Sequence, residues 1–412
     1  MADYRNVWVL IAAVTLLQLG GGILGVLTPL GLSEMGAGTV SIGIVGALNS
    51  IGFMIGARYS ADAIRIFGNI RVYSAAAALA AVSILSMHLL LDAWAWSVIR
   101  LVQGIALAFM FSSIEAWLGA AVPAEKRGGV SGFYHLMAKV ALIIGPFFAL
   151  GMSAIDNRPY MWGAIFMALS LLPVCLTRRG EPPIPDTEPL SLKQLYELAP
   201  SGVIAAFLAG VINTGTLAFL PIYAVSALSD LSMSATSLAA IAAAAAWGGG
   251  LLSQWPAGKI SDRFDRRLVI AIMTGAAGIA STVLLLGPIL PGAIVLCLLA
   301  LWGAGTLSFY GVAVAHIIDW CPQGKIAQAM AGILFVWAFG SVLGPLIAGA
   351  LVQLLPGSGA LFGMAAVLSF VMVIAMMWRR TARNEPPEAA QEPWNPTTPL
   401  LAAKGEVDPR SD

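Results

Sequence analysis

Long apolar runs separated by short polar breaks follow one another from Val7 to Trp378. They do not alternate as barrel strands do: AAALAAVSILSMHLLL (76–91) is almost continuously apolar, which selects helices over membrane strands of about ten residues. Reading the runs against breaks at charge, Gly or Pro gives twelve spans. The first six are 7–30, 40–62, 70–91, 94–121, 129–152 and 159–177; the second six are 199–227, 235–257, 267–288, 291–317, 326–352 and 358–378. At about 1.5 Å rise per residue, each crosses roughly 30 Å of hydrocarbon. The first run is long, follows a weakly charged start (Asp3, Arg5) and lacks a small-residue exit site, so it is expected to be a retained span.

The longest polar connector, RRGEPPIPDTEPLSLKQLYEL, divides the runs into six plus six. The expected organisation is a six-helix bundle over 1–177, a cytoplasmic linker over 178–198 with an amphipathic stretch at 190–198, and a second bundle over 199–378. A tail over 379–412, rich in Pro and Glu, is expected to be disordered and cytoplasmic. With the amino terminus placed inside, all 22 Lys and Arg residues fall on the inner side except Arg100, Lys139 and Arg158, and the first two of these lie within spans. This positive-inside pattern predicts both termini in the cytoplasm.

Composition narrows the function classes. Of 412 residues, 59% are hydrophobic and 10% charged, too few charges to cover a soluble surface, where about a quarter is usual. A net charge of +1 argues against a nucleic-acid partner. Three His are too few for a metal cluster, and Cys175, Cys297 and Cys321 have no C-x-x-C spacing, so neither metal, cofactor nor disulfide framework is expected. The sequence contains no H-E-x-x-H, G-x-S-x-G or G-x-x-x-x-G-K-[S/T], which speaks against a membrane enzyme and an ATP-driven pump.

The two halves resemble each other at nearly constant offset. Thr28-Pro29-Leu30 corresponds to Leu220-Pro221-Ile222 at an offset of 192. Gly104 matches Gly303, Pro123 matches Pro322, and Gly145-Pro146 matches Gly344-Pro345, all at 199. Two equivalent bundles with a site between them are what alternating access requires.

The loop Gly258-Lys259-Ile260-Ser261-Asp262-Arg263-Phe264-Asp265-Arg266-Arg267 resembles the G-x-x-x-D-R-x-G-R-R signature of the major facilitator superfamily, with Asp265 where Gly is usual. The first-half loop is degenerate, with Arg65 in the place of the signature Asp and Arg71 retaining some charge. Arg100-Leu101-Val102-Gln103-Gly104 matches that family's R-x-x-Q-G motif, and Gly340 to Pro345 with Gly349 resembles its antiporter Gly-Pro motif, though in span 11. Gln254-Trp255-Pro256 and Glu115 are similar to the bacterial YcaD-like members. The resemblance implies an all-α polytopic fold with two pseudo-symmetric six-helix bundles in a bacterial inner membrane. It also implies a gating role for Asp262, Arg263, Arg266, Arg267 and Arg71, and a proton-coupling or gating role for Arg100. Gly145, Pro146, Gly344 and Pro345 are expected to serve helix packing.

Ionisable side chains inside spans are costly, roughly 2.5–3.5 kcal/mol for Lys or Arg at mid-depth, and therefore mark function. Glu115, late in span 4, and His135, early in span 5, are expected at similar depth, and His135 shares a helix face with Lys139 four residues on. Two readings stand open for this group: Glu115 with His135 carries a coupling proton, or Glu115 and Lys139 form a permanent salt bridge. Lys139, with Arg100, would attract an anionic or zwitterionic solute. Gln18, Asn49, Asn213, Tyr310 and Trp337 are further substrate candidates, each open to a purely structural role. The expected function is a monomeric secondary transporter whose partners are a small-molecule substrate, a proton and the lipid bilayer. A proton-driven multidrug or metabolite exporter and a non-transporting receptor or assembly protein remain as alternatives.

Overall fold

The computed structural model describes residues 2–121, 127–176, 190–322, 325–355, 357 and 359–382. Pro123, the Pro-rich part of the linker and the tail from 383 onward lie outside them, so the expectation of a disordered tail concerns residues not described.

Among the described residues the fold is all-helical, and twelve helices are long and apolar enough to cross a membrane. In the first half these are Val7–Glu34, Thr39–Phe67, Asn69–Leu89, Ala93–Leu118, Gly129–Ala149 and Asn157–Cys175. In the second half they are Pro200–Ala227, Ala235–Ser261, Arg266–Leu284, Gly292–Trp320, Gln328–Leu354 and Ala360–Ala382. They keep the span numbers 1–12. Because the number is even, the chain enters span 1 and leaves span 12 at the same end, here termed the termini side. Span 12 runs four residues beyond its expected end at 378, because Arg379 and Arg380 find partners there and cations favour a helix carboxyl end.

The packing repeats between halves. Span 1 packs on 5 and 6, span 2 on 4, and span 3 on 4 and 6; span 7 likewise packs on 11 and 12, span 8 on 10, and span 9 on 10 and 12. The offsets seen in the sequence mark the closest approaches. Gly104 backs onto the carbonyl of Asn49, and Gly303 onto that of Ala246, so that a Cβ at either glycine would collide with backbone. Gly145 meets the carbonyl of Leu19 and Gly344 that of Val211 in the same way. Without a hydrophobic drive between helices in lipid, such close backbone contact supplies much of the attraction.

Span 10, expected as one helix, is two: Gly292–Thr306 and Phe309–Trp320. The break frees backbone carbonyls that hydrocarbon cannot satisfy, and side chains take them up. Ser253 of span 8 and Ser308 both donate to the Ala304 carbonyl, and the Asn213 amide of span 7 donates to Thr306 at 3.0 Å. Span 5 tightens from α-helix into a 3-10 turn at Gly145–Ala149, where Pro146 removes an amide donor.

The bundles meet mainly at the side opposite the termini. Thr39 at the start of span 2 donates to the Gly349 carbonyl of span 11 at 3.0 Å, and Gly43 and Gly46 seat Pro345. At the same side, Thr236 of span 8 donates to the Met152 carbonyl just beyond span 5, at 2.8 Å. Spans 4 and 5 have no comparable packing against spans 10 and 11 among the described residues. The contact is therefore closed at the far side.

The amphipathic stretch of the linker is a helix, Leu192–Leu198, started by a capping box in which the Ser191 side chain accepts from the Gln194 amide and the Gln194 side chain accepts from the Ser191 backbone. Leu195 is fully buried against Ala329, Met330, Ile333 and Ile317, and the Leu190 amide donates to the Gln328 carbonyl at 3.2 Å. This helix belongs to the second bundle.

Candidate functional site

Spans 1, 5, 7 and 8 line a partly open cavity of about 110 Å³ between the two bundles. Gly21 and Gly25 of span 1, Leu142 of span 5, Leu220 of span 7, and Ala243 and Trp247 of span 8 are among its walls, which are mainly apolar, with the Trp247 indole as the one side chain that carries a polar atom. The glycines permit it, since a Cβ at Gly25 would meet no atom within 4 Å.

Polar groups stand outside its lining, towards the termini side on the same helices. Lys139 sits one turn from Leu142 on the same helix face, and its ammonium donates to the Gln254 side-chain oxygen of span 8. Gln254 lies two turns from Trp247, so the same two helices form both the apolar wall and the polar edge. Gln18 of span 1 brings its amide oxygen beside Gly21. Lys139, Gln254 and Gln18 are all half-buried. The hydrogen bond from Lys139 to Gln254 bridges the bundles.

Glu115 lies elsewhere, in the interior of the first bundle. It is 6% exposed, its Oε2 atom has no hydrogen-bond partner, and no ion pair joins it to Lys139 among the described residues. Its electrostatic neighbour is Tyr134, a buried hydroxyl that also lacks a partner. His135, next along span 5, is half-buried and rests edge-on against the Tyr134 ring at 4.8 Å. Arg100 donates to Gln103 of its own motif at 2.6 Å and lies near Tyr160 of span 6, apart from Lys139.

The other candidates are scattered. Asn49 is half-buried in span 2 with an unpartnered amide oxygen. Asn213 is 8% exposed and committed through its amide to the break in span 10. Tyr310, just past that break, has a buried hydroxyl without a partner and packs against Trp337 with ring centroids 6.2 Å apart.

The signature loop folds into a clasp inside the second bundle. Arg266 reaches Asp319 of span 10 through two hydrogen bonds, of 2.6 and 3.3 Å, and also contacts Ser261 and Asp262. Asp265, in the place of the usual glycine, caps span 9 by accepting from the Arg267 backbone amide at 2.9 Å. Its carboxylate binds the Arg267 side chain and, at 3.3 Å, Arg380 of span 12; Arg267 in turn donates to the Arg379 carbonyl. Burial alone would raise the Asp265 carboxyl, but the Arg267 hydrogen bonds prevail and hold it below the usual carboxylate range. Arg263 and Arg71 remain exposed and join none of these contacts. Gly145 and Gly344 sit at packing contacts within their bundles, whereas Pro345 packs across to span 2 and Pro146 borders the cavity.

Sequence reasoning singled out Lys139 but not its partner. Gln254 entered only as part of a motif, although an amide in the apolar body of span 8 already needs a hydrogen-bond partner. Tyr134 was missed for the opposite reason: a tyrosine in an apolar run carries no signal until its neighbours are known.

Two pseudo-symmetric six-span bundles, joined at one side and enclosing a cavity between them, define a membrane transporter of the two-bundle class. The chain belongs to the Major Facilitator Superfamily, whose family model matches residues 10–305 and 224–407. It is 24% identical over 385 residues to the uncharacterized MFS-type transporter YcaD of Escherichia fergusonii, covering 92% of this chain and 97% of that protein. To the YcaD of Escherichia coli O6:K15:H31 it is 25% identical over 396 residues, covering 95% and 100%. Among solved structures, the nucleoside transporter NupG superposes with a TM-score of 0.72 at 16% identity, covering 91% of this chain and 98% of that one. A D-xylose-proton symporter gives 0.71 at 15%, covering 97% and 99%. These likenesses establish the fold.

Proposed function

We propose that the chain is a secondary active transporter that moves a small anionic or zwitterionic organic solute across a bacterial inner membrane by alternating access, coupled to protons. Both termini face the cytoplasm in this reading, because the basic residues gather on the termini side. The bundles then meet at the periplasmic side, and the arrangement is the inward-facing one.

The observation that carries the reading is Lys139. A half-buried ammonium well inside span 5, bonded across the gap to a neutral amide, has no carboxylate of its own among the described residues. A cation so placed is expensive unless it serves a ligand. Binding of an anion competes for the ammonium, loosens the bond to Gln254 and so ties occupancy to the relation between the bundles. Lys139→Gln in proteoliposomes tests this: solute exchange should fall at least tenfold while the protein still folds, and unchanged exchange would refute the role.

For the proton, the supporting observation is Glu115, a carboxyl buried without an ion-pair partner among the described residues. Burying a lone carboxylate charge is costly, so this position suits a group that takes up and gives back a proton. Tyr134 is its electrostatic neighbour, and His135 follows on span 5, one turn before Lys139. E115Q should transport down a solute gradient but fail to respond to an imposed pH gradient; retained coupling would exclude Glu115. The nucleoside and D-xylose-proton carriers of the same fold make a small organic cargo a natural first screen.

Proton-driven export is a second reading, favoured by the Gly340 to Gly349 segment of span 11, which forms the contact between bundles through Pro345 and Gly349. Transport measured in vesicles of both orientations separates the two directions.

A further inference from the structure

The cavity and its polar edge together specify more than a charge. The anionic-cargo reading, on which the present inference rests, concerns only Lys139; the volume beside it is apolar. The wall residues Leu142 and Trp247 stand on the same helices as Lys139 and Gln254, one turn and two turns away respectively. A ligand whose charged group replaces Gln254 at the ammonium therefore points the rest of its body into a chamber whose side chains offer no polar atom beyond the indole nitrogen of Trp247. Gln18 adds a neutral amide at the edge. No carboxylate lines the cavity to receive an ammonium group, since Glu115 lies within the first bundle. A single negative charge is matched and a zwitterion is not.

The size of the chamber limits the apolar part. A dry cavity of roughly 150 Å³ admits benzene. At about 110 Å³ the present one takes a compact aliphatic group of about four carbons.

We propose that the cargo is an amphiphilic monocarboxylate, its carboxylate held at Lys139 with Gln18 and Gln254 beside it, and its aliphatic tail of about four carbons enclosed by spans 1, 5, 7 and 8. Specificity is then divided between a charge test at the polar edge and a size test in the chamber. Sugars and nucleosides, which carry hydroxyls over most of their surface, are rejected because the apolar wall leaves those hydroxyls unpaired.

The test measures binding to the full chain in lipid nanodiscs by calorimetry, at neutral pH, with acetate, butyrate, valerate and octanoate, and with valeramide and pentylamine as uncharged and cationic controls. Affinity should rise about fourfold per methylene from acetate to valerate, as expected for burying each CH₂, and fall again at octanoate. Valeramide and pentylamine should bind at least tenfold more weakly than valerate. Gly25→Leu fills the chamber from a position where a Cβ meets no atom within 4 Å. It should abolish the gain in affinity from acetate to valerate, with the thermal unfolding profile confirming an intact protein. Trp247→Ala, which enlarges the chamber, should move the optimum towards octanoate.

The outcomes separate the amphiphile from the bare anion. Carboxylates that bind without regard to tail length, or that ignore both variants, overturn the amphiphile and leave the anion reading standing. Binding of valeramide or pentylamine in preference to every carboxylate, or no binding of any probe, overturns the anion reading and this inference with it.

Discussion

Asp319→Asn is expected to destabilise the second bundle severely, and the clasp around Arg266 shows why. The two side chains are 4% and 3% exposed, and the guanidinium grips both carboxylate oxygens. Removing one partner of a buried ion pair strands the other charge and typically costs about 3–5 kcal/mol. Here Asp262 remains at 3.3 Å and Ser261 at 3.1 Å, which places the loss near the lower end, about 3 kcal/mol. The Asp262 side chain is 28% exposed and supplies the longer arm, so Asp262→Asn should cost about 1 kcal/mol or less. Replacing both charges by apolar groups, as in R266M/D319L, should recover most of the loss, since neither ion is then buried. Thermal unfolding followed by tryptophan fluorescence, in one detergent at neutral pH, ranks the three variants. If D319N melts with D262N, or if the double variant is worse than D319N alone, the buried pair does not carry this energy and the reasoning fails.

The same structure sets four further expectations. Gly303→Val and Gly104→Val should each abolish recovery of folded protein, because the new side chain would occupy the position of a neighbouring carbonyl; size-exclusion profiles check this, with Gly25→Ala as a tolerated control. Gly349→Val should wedge the contact with span 2 apart, because a Cβ there would lie 2.7 Å from the Thr39 carbonyl; maleimide labelling of a cysteine placed at Thr39 should rise, and unchanged labelling would contradict closure at that side. Asn213→Ala removes the donor to the Thr306 carbonyl and should lower stability by about 1–3 kcal/mol, measured as a melting shift. The Asp265 carboxyl, held below its ordinary range, stabilises the fold above the pH where a free carboxylate ionises, and this contribution is lost as pH falls through the depressed value. D265N should therefore melt below the parent at pH 7, with the gap narrowing below about pH 4.

The fold was legible because hydrocarbon imposes a length and a polarity on every crossing segment, and both are local properties of the chain. The repeat was legible for a related reason. Gly104 and Gly303 occupy equivalent backbone-to-backbone contacts, and no larger residue fits either place. Partnerships between distant residues were less accessible. Lys139 announced itself as a charge out of place, but nothing in its neighbourhood of sequence pointed to Gln254, 115 residues away. Glu115 and Lys139 were natural partners on grounds of charge, yet helix rotation puts one inside a bundle and the other at the gap between bundles. The break in span 10 escaped notice because its stretch is as apolar as its neighbours; what holds it open are Ser308 in the break itself and Ser253 and Asn213, contributed by spans 8 and 7.

The docking of Leu192–Leu198 on the second bundle redefines the covalent leash between the halves. With that helix fastened through Leu195, only residues 177–189 bridge from one half to the other. The second bundle as a packed body therefore starts at Leu190, and Leu195→Asp should lower its melting temperature; an unchanged melt would show that this helix adds nothing to its stability.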